Sequence, residues 1–289
     1  MAETVLEFKN VSWRYESTPK KMHDALQDVS LSIKKGEFVG IIGANDAGKS
    51  TLCRLCNGLI PNSFVGDMSG EVFVNGRSIK NVPTAQIAGE VGSVFADPEA
   101  QLSQITVYDE LAFGPSNLAL PREEVIRRVE NTLDLMEIQS FRDRSPFALS
   151  GGEQQKIAIA SVMAMNPSIL VLDEPTSNLD PIGTESIFSI INELNKKEGM
   201  TILLVEHEIE LMAQFVDRFI VLDEGKVVLD GTPDEIFSNR EIFEKIGIFI
   251  PSVTQIATYA DEKYSAWDKE TEYPITLYEL LTKIDERLD

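Results

Sequence analysis

The sequence predicts an α/β fold built on a largely parallel sheet, and two patterns carry that prediction. Short apolar runs typical of buried strands alternate along the chain with longer segments of helical period, as in parallel strands joined by helices. Among the early strands, the second ends at a turn signal at 34–36, and the strand at 72–74 meets Asn75-Gly76, which favours a hairpin. We therefore expect a mixed sheet with an additional antiparallel β layer.

The individual elements follow from the same patterns in chain order. Fully apolar runs such as 168–172 predict strands buried on both faces, whereas Pro121 followed by Glu123 and Glu124 favours a helix start. The predicted strands are 5–11, 29–33, 37–42, 72–74, 91–95, 168–172, 201–205, 219–222 and 226–229. A predicted helix starts at Thr51, and further helical segments are predicted at 106–144, 150–165, 182–197 and 208–215.

Two units are expected along the chain. Residues 1–232 form one large α/β domain, into which a helical subdomain of about 97–150 is inserted. The pattern changes at 231–233, so 233–289 forms a small helical C-terminal extension, too short for a second catalytic domain. Its last helix is expected to start at the capping box Thr276-x-x-Glu279. That helix carries an apolar face of Leu277, Leu280, Leu281, Ile284 and Leu288.

The chain is strongly acidic, with 26 lysines and arginines against 47 aspartates and glutamates and a formal net charge of -21. This charge disfavours nucleic acid, whose binding depends on cationic contacts to phosphate, and it disfavours direct docking on anionic lipid. The longest uncharged run, 157–172, is shorter than a bilayer span and is interrupted at Asn166-Pro167. We therefore expect a chain that binds no nucleic acid and does not insert directly in a membrane.

A phosphate-binding loop follows the strand predicted at 37–42. Gly43-x-x-x-x-Gly48-Lys49-Ser50 has complete P-loop spacing between a strand and a helix, which is the context that the motif requires. Backbone N–H groups of such a loop point at phosphate oxygens, while Lys49 supplies a positive charge and the Ser50 hydroxyl a Mg²⁺ ligand. The expected nucleotide contacts are Gly43, Ala44, Asn45, Asp46, Ala47, Gly48, Lys49, Ser50 and Thr51.

An acidic pair, Asp173-Glu174, ends the strand predicted at 168–172. It presents two carboxylates at the carboxyl end of a strand, where ligands bind in α/β folds. Asp173 suits the coordination shell of Mg²⁺, and Glu174 suits activation of an attacking water. Together with the loop, the pair predicts binding and hydrolysis of a nucleotide with Mg²⁺, with Lys49 and Glu174 as catalytic residues.

Further motifs complete a resemblance to a known family. The segments LSGGEQQ at 149–155, SNLD at 177–180 and VEH at 205–207 follow one another in order. With the phosphate loop and the acidic pair, they resemble the nucleotide-binding domain of ATP-binding cassette (ABC) transporters, over about Leu6 to Gly231. The resemblance implies a P-loop NTPase fold, the ABC cassette, in which ATP is bound between two subunits.

The resemblance also implies roles for single residues. It implies that the signature motif, which contacts ATP held by the opposite subunit, includes Ser150, Gly151, Gly152 and Glu153. It implies that Asp180 belongs to the D-loop and contacts nucleotide. His207 is implied as the switch histidine, a catalytic residue near the γ-phosphate, and Tyr15 as the aromatic residue that stacks on adenine.

A narrower resemblance concerns 107–124, VYDELAFGPSNLALPREE, which is similar to the energy-coupling factor (ECF) ATPases. Those proteins power import of vitamins and of cobalt or nickel ions, and an extension like 233–289 helps their dimerisation. The resemblance implies a second ABC ATPase subunit, a transmembrane coupling protein and a small substrate-binding membrane protein as partners. It implies a peripheral subunit at the cytoplasmic face of the cell membrane, held there by protein partners.

Two positions depart from the family pattern. Asp46 stands where the family usually has glycine, and Ala96 where it usually has the Q-loop glutamine. Aspartate tolerates a left-handed backbone, but a like charge near the phosphates opposes ATP binding. An alanine methyl offers neither a metal ligand nor a polar contact to water. Asp46 therefore predicts weaker ATP binding. Ala96 predicts impaired hydrolysis, or impaired coupling of hydrolysis to the helical segment.

Three functions stay open at this point. The first is the ATPase subunit of an ECF-type importer for a vitamin or a transition-metal ion. The second is a hydrolysis-impaired, nucleotide-binding partner subunit in a heterodimer, which Asp46 and Ala96 favour. The third is a non-transport soluble ABC ATPase. Such proteins usually carry two cassettes or a long coiled-coil insertion, and the segment between Lys49 and Ser150 has no room for that insertion.

Overall fold

The computed structural model describes residues 3–16, 23–264 and 273–288, and its strands form two sheets. The strands are β1 (Thr4–Tyr15), β2 (His23–Lys34), β3 (Phe38–Gly43), β4 (Gly66–Val74), β5 (Arg77–Ser78), β6 (Val91–Val94), β7 (Ile169–Asp173), β8 (Thr201–Val205), β9 (Arg218–Asp223) and β10 (Lys226–Gly231). The α-helices are α1 (Lys49–Cys56), α2 (Leu59–Asn62), α3 (Thr84–Ile87), α4 (Pro98–Gln101), α5 (Val107–Asn117), α6 (Arg122–Leu135), α7 (Gly151–Met163), α8 (Pro181–Glu198), α9 (Ile209–Met212), α10 (Pro233–Phe237), α11 (Arg240–Ile246), α12 (Ser252–Tyr264) and α13 (Leu277–Leu288).

The larger sheet has six strands in the order β10-β9-β3-β8-β7-β6. Neighbouring strands of this sheet are parallel, except that β10 is antiparallel to its hairpin partner β9. All residues of β3 and β8 are buried, as expected for strands covered on both faces. Because β3, β7 and β8 are parallel, the segments that follow them all leave the sheet at the same edge.

The smaller sheet is the antiparallel layer that the sequence predicts, in the order β2-β1-β4-β5. Its strands are longer than predicted, since β1 and β2 are each 12 residues long. Their outer halves carry polar residues that the hydrophobic pattern does not mark as strand. Cross-strand pairing extends them nonetheless, and Arg14 forms an ion pair with Asp24 on the neighbouring strand.

The segment predicted as an inserted helical subdomain contains α4, α5 and α6, and α7 follows it. Thr106 caps α5 by accepting a hydrogen bond from the Asp109 N–H. The continuous helical period expected over 106–144 is broken between α5 and α6, because the residue before Pro121 is sterically excluded from the helical region. Between α6 and α7, the chain forms the 3-10 turns Gln139–Phe141 and Pro146–Ala148.

The C-terminal extension packs against the larger sheet through an aromatic contact. The ring of Phe237 in α10 lies 5.2 Å, centroid to centroid, from Phe219 in β9. The capping box predicted at Thr276 and Glu279 is present, because the Thr276 N–H donates to Glu279 and the Glu279 N–H to Thr276. Along α13, 61% of Leu277 is exposed, and Leu281 and Ile284 are exposed as well. The side chain of Leu288, the last member of the predicted apolar face, lies outside the described residues.

Among the helices that the structure describes, none combines the length and the apolarity that a membrane span requires.

The packing of α8 on the core generates a stability prediction. Phe188 is fully buried, and its ring lies 5.9 Å from that of Phe215. We expect Phe188→Ala to lower the free energy of unfolding by about 3–5 kcal/mol, because the truncation leaves a cavity. Phe147, 53% exposed, provides the control, since Phe147→Ala should change that free energy by less than about 0.5 kcal/mol. Equal losses of stability in urea denaturation would contradict this packing.

Candidate functional site

The phosphate-binding loop connects β3 directly to α1, and two glycines shape it. Gly43 is the last residue of β3, where a Cβ atom would collide with the carbonyl oxygen of Leu222. Gly48 has a φ of +104°, a conformation that side chains disfavour. The helix α1 starts at Lys49, so its first N–H groups form the end of the loop. The local structure is therefore the anion-binding arrangement that the motif predicts.

The Lys49 side chain folds back onto this loop. Its Nζ donates to the carbonyl oxygens of Gly43 at 2.9 Å and Ala44 at 3.0 Å, and only 5% of the residue is exposed. Burial lowers the pKa of the ammonium group, and the carboxylates of Glu174 and Asp173 oppose that fall. The structure thus holds a partly desolvated cation at the centre of the loop.

The two predicted metal ligands contact each other. The Ser50 hydroxyl donates to Asp173 Oδ1 at 3.1 Å. Burial raises the pKa of the Asp173 carboxyl group, and the Ser50 hydrogen bond counteracts part of this rise. A hydroxyl and a carboxylate oxygen at this separation are hard oxygen donors of the kind that Mg²⁺ uses beside substrate phosphates. The residues present therefore fit the metal that the sequence predicts.

Glu174 and His207 form a pair at the same edge of the sheet. Glu174 Oε1 lies 3.0 Å from His207 Nε2. The Glu174 N–H donates to the Val205 carbonyl at 2.9 Å, which ties the end of β7 to the end of β8. Side-chain exposure is 28% for Glu174 and 51% for His207. The carboxylate therefore faces solvent from a fixed backbone, with the imidazole beside it.

The phosphate-binding loop, Lys49, Ser50 and Glu174 border an open cavity of about 470 Å³, whereas Asp173 and His207 lie outside its lining. Its lining consists of Tyr15, Ala25, Asn45, Asp46, Gly48, Lys49, Ser50, Thr51, Arg54 and Glu174. The Tyr15 hydroxyl lies 3.2 Å from Thr51 Oγ1 and accepts a hydrogen bond from Arg54 at 3.3 Å, so the aromatic residue is anchored to α1. Sequence reasoning missed Arg54, although its position one helical turn after Ser50 could have indicated it.

Asp46 lies at the mouth of this cavity. Its φ of +61° is left-handed, which is the conformation that aspartate tolerates better than most side chains. The residue is exposed, and its carboxylate is close enough to Lys49 to oppose, together with Glu174 and Asp173, the fall that burial causes in the pKa of the ammonium group. Asp46 therefore adds a negative charge where the loop is built to receive phosphate.

Ala96 follows β6 and contributes only its backbone to polar contacts. Its carbonyl accepts a hydrogen bond from Asn178 Nδ2 at 3.3 Å. Gln101, the nearest glutamine along the chain, accepts from the Phe95 N–H at 3.1 Å through its side-chain oxygen. That oxygen is engaged with the backbone, so Gln101 does not stand in for a Q-loop glutamine in this arrangement.

The signature motif and the D-loop cap helices away from the cavity lining. The Ser150 N–H donates to Glu153 Oε2 at 2.8 Å at the start of α7, where Gly151 is exposed and Gly152 half-buried. Asp180 accepts from the Gly183 N–H at 2.7 Å and caps α8. Among the described residues, none of these predicted contacts lines the nucleotide cavity of its own chain. Their contact with nucleotide stays a prediction that requires a second subunit.

A second, mostly apolar cavity of about 390 Å³ lies between the sheet and the helical subdomain. We call it the subdomain groove, and its lining includes Phe95, Phe113, Leu118 and Met165. Phe95 is 38% and Phe113 48% exposed. Sequence reasoning did not predict this groove, because it is formed by segments far apart in the chain.

Comparisons with known proteins agree with this geometry. A family model described as ABC transporter matches residues 26–177. The energy-coupling factor transporter ATP-binding protein EcfA1 of Caldanaerobacter subterraneus subsp. tengcongensis is 42% identical over 254 residues, 88% of this chain and 90% of that protein.

Solved structures give the same result. The structure of cbiO1 from Clostridium perfringens, part of the ABC transporter complex cbiONQ, matches with a TM-score of 0.72 and 32% identity over 85% of this chain and 95% of that chain. The ATP-binding cassette MJ0796, solved as a dimer in a post-hydrolysis state with ADP and Pi, matches with a TM-score of 0.67 and 29% identity, over 78% of this chain and 98% of that chain.

The predicted fold class is therefore confirmed, since the mixed sheet, the antiparallel layer and the helices have the arrangement of ABC cassettes. The resemblance to ECF ATPases is confirmed as well, because relatives with that name match most of the chain. The chain belongs to the ATP-binding proteins of the ABC transporter family.

Proposed function

We propose that this chain is the ATP-binding and ATP-hydrolysing subunit of an ECF-type importer for a vitamin or a transition-metal ion. One observation carries the proposal. The phosphate loop, the Asp173-Glu174 pair and His207 meet at one edge of the sheet, beside a 470 Å³ cavity. The names of two similar proteins, an energy-coupling factor transporter subunit and cbiO1 of a transporter complex, support the importer class.

The residues divide the chemistry among them. Lys49 exchanges the two loop carbonyls for phosphate oxygens, so its charge is available without a large movement. Mg²⁺, held by Ser50 and Asp173, would neutralise the charge of the β- and γ-phosphates. Glu174 accepts the proton of the attacking water. His207 orients the Glu174 carboxylate through the 3.0 Å contact of its Nε2, and on ATP binding this N–H would exchange that contact for one to the γ-phosphate.

A second ATPase subunit completes the site in this proposal. Ser150 and Gly151, exposed at the start of α7, do not line the cavity of their own chain, and a helix N-terminus favours an anion such as the γ-phosphate. A dimeric similar structure with ADP and Pi supports the two-chain arrangement. The exposed face of α13, with Leu277, Leu281 and Ile284, supports the C-terminal extension as a further dimer contact.

The membrane partner docks in the subdomain groove under this proposal. The groove is apolar and exposes Phe95 and Phe113, and such patches are typical of protein interfaces. Phe95 directly precedes Ala96, whose carbonyl is bonded to the D-loop residue Asn178. A partner segment bound in the groove would therefore be linked to the D-loop, and so to the proposed dimer interface, through Phe95 and Ala96. The surrounding acidic chain, of net charge -21, suits a basic coupling segment and a peripheral location at the cytoplasmic membrane face.

A second candidate is a hydrolysis-impaired partner subunit in a heterodimer. Asp46 at the cavity mouth and the methyl group of Ala96 favour it. The intact pairs Ser50–Asp173 and Glu174–His207 oppose it. A non-transport soluble ABC ATPase stays the third alternative, and the co-purification below separates it from the importer subunit.

Purification of the chain from cells with its membrane partners tests the proposal. We expect a transmembrane coupling protein and a small substrate-binding membrane protein to co-purify, and the complex to hydrolyse ATP in a single turnover. Glu174→Gln should lower the rate at least about 100-fold, because the general base is lost, while ATP binding is retained. Glu208→Gln removes one negative charge from the exposed residue next to His207 and serves as the control. An unchanged rate in Glu174→Gln, or the absence of membrane partners, would overturn the proposal.

Asp46 generates a prediction on affinity. Replacing it by asparagine removes the charge and keeps a residue that tolerates φ > 0, so ATP should bind about two- to tenfold more tightly, a range that allows for solvent screening at this exposed position. Asp46→Gly should bind similarly, and the gain should shrink in high salt. Calorimetric affinities that stay unchanged in both variants would show that the charge does not oppose the nucleotide.

Ala96 generates a prediction on rate. A glutamine at this position restores an amide that can contact nucleotide-bound water or metal, so Ala96→Gln should raise the ATPase rate of the assembled complex about two- to tenfold. Ala100→Gln, an exposed site four residues further on, controls for adding the same side chain to this segment. If the two variants hydrolyse ATP equally fast, the missing glutamine does not limit the rate.

A further inference from the structure

Glu206 is a buried acid that the proposed chemistry does not use. Only 3% of it is exposed, and burial raises the pKa of its carboxyl group. Burying a carboxylate is unfavourable unless donors compensate for the lost water. Three donors do so here. The Thr176 N–H and Oγ1 donate to Oε1 at 2.8 and 2.6 Å, and the His207 N–H donates to Oε2 at 3.2 Å.

These hydrogen bonds join the segments that follow β7 and β8, beyond the last paired residues of the two strands, Asp173 and Val205. Thr176 follows Glu174 by two residues after β7, and Glu206 itself follows the last residue of β8. The carboxylate therefore accepts backbone hydrogen bonds from Thr176, two residues after Glu174, and from His207 itself. Thr176 is itself buried, with 5% exposed, so both ends of the connection are fixed in the core.

One further hydrogen bond, from the Glu174 N–H to the Val205 carbonyl at 2.9 Å, links the ends of β7 and β8 beside this pair. His207 is half exposed, Glu174 is more than a quarter exposed, and a 3.0 Å contact between their side chains requires the two backbones to keep their separation. A shift of about 1 Å is enough to lose much of the benefit of correct positioning.

We propose that Glu206 is a positioning residue that fixes the segments after β7 and β8 and thereby holds Glu174 and His207 in contact. The role rests on the proposed ATP hydrolysis, in which those two residues act. Glu206 is not among the described residues that line the nucleotide cavity. Its effect on hydrolysis is therefore indirect.

The chain contains 2 histidines, so the NMR signals of the His207 imidazole can be followed with the other histidine as an internal reference. In the full-length protein, Glu174→Gln should displace the His207 signals, because it alters the group 3.0 Å from Nε2. In a Glu206→Ala background, the same Glu174→Gln change should displace them much less. This measurement does not require hydrolysis.

Two conservative variants guard against loss of folding. Glu206→Gln keeps an oxygen for Thr176 but turns its amide toward the His207 N–H, so the response should be intermediate. Thr176→Val removes only the hydroxyl donor and should weaken the response less. Circular dichroism and thermal unfolding establish that each variant is folded.

Kinetics of the assembled complex provide the second readout. Glu206→Ala should lower kcat about tenfold with the KM for ATP within about twofold, because it disturbs positioning rather than phosphate binding. Glu206→Gln should recover part of that loss, and Glu208→Gln should match the unaltered chain.

The outcomes separate this inference from the proposed function. A full His207 response to Glu174→Gln in folded Glu206→Ala and Glu206→Gln backgrounds would overturn the positioning role, whatever the rates. An unaltered complex that fails to hydrolyse ATP would instead overturn the proposed function, while the NMR result would still decide the role of Glu206.

Discussion

The site depends on the parallel register of β3, β8 and β7. Because those strands point the same way, the phosphate loop, the acidic pair and His207 leave the sheet at one edge. Backbone hydrogen bonds reinforce this alignment, as the Glu174 N–H donates to the Val205 carbonyl at the end of the neighbouring strand. Burial of β3 and β8 on both faces fixes the register. Side chains from distant parts of the sequence thus reach each other without long loops.

At this edge of the sheet, the polar groups of the site form hydrogen bonds with one another. Lys49 contacts loop carbonyls, Ser50 contacts Asp173, and Glu174 contacts His207. Each contact involves at least one group that the proposed mechanism directs at the nucleotide, its metal or its water. ATP binding would therefore replace the Lys49 and Ser50 contacts rather than expose bare charges. Under the proposed function, this local arrangement would let a chain of net charge -21 bind a polyanion through one lysine, a metal and backbone N–H groups in place of a basic surface.

Much of this architecture could be predicted from the sequence, because its signals are local. The loop spacing, the apolar strand before Asp173 and the turn at Asn75-Gly76 each lie within a few residues. Features that depend on distant partners could not be predicted. The outer half of β1 is a strand because β2 and β4 pair with it. The role of Gln101 depends on the backbone of Phe95.

The limit of prediction from the sequence is clearest for Glu206. In the sequence it is one acid among many, next to a histidine that a motif identifies. Only the fold shows that its carboxylate is buried and bonded to Thr176, 30 residues away along the chain. The subdomain groove and the contact between Tyr15 and α1 likewise arise from segments that only tertiary packing brings together.

The central claim is that one edge of the sheet forms a combined nucleotide and metal site. The most direct test is the affinity for ATP measured by titration calorimetry with and without Mg²⁺, in the unaltered chain and in Asp173→Asn. The account predicts that Mg²⁺ strengthens ATP binding to the unaltered chain and that Asp173→Asn loses most of this gain. A chain that binds ATP equally well with and without Mg²⁺, or an Asp173→Asn variant that keeps the full gain, would contradict it.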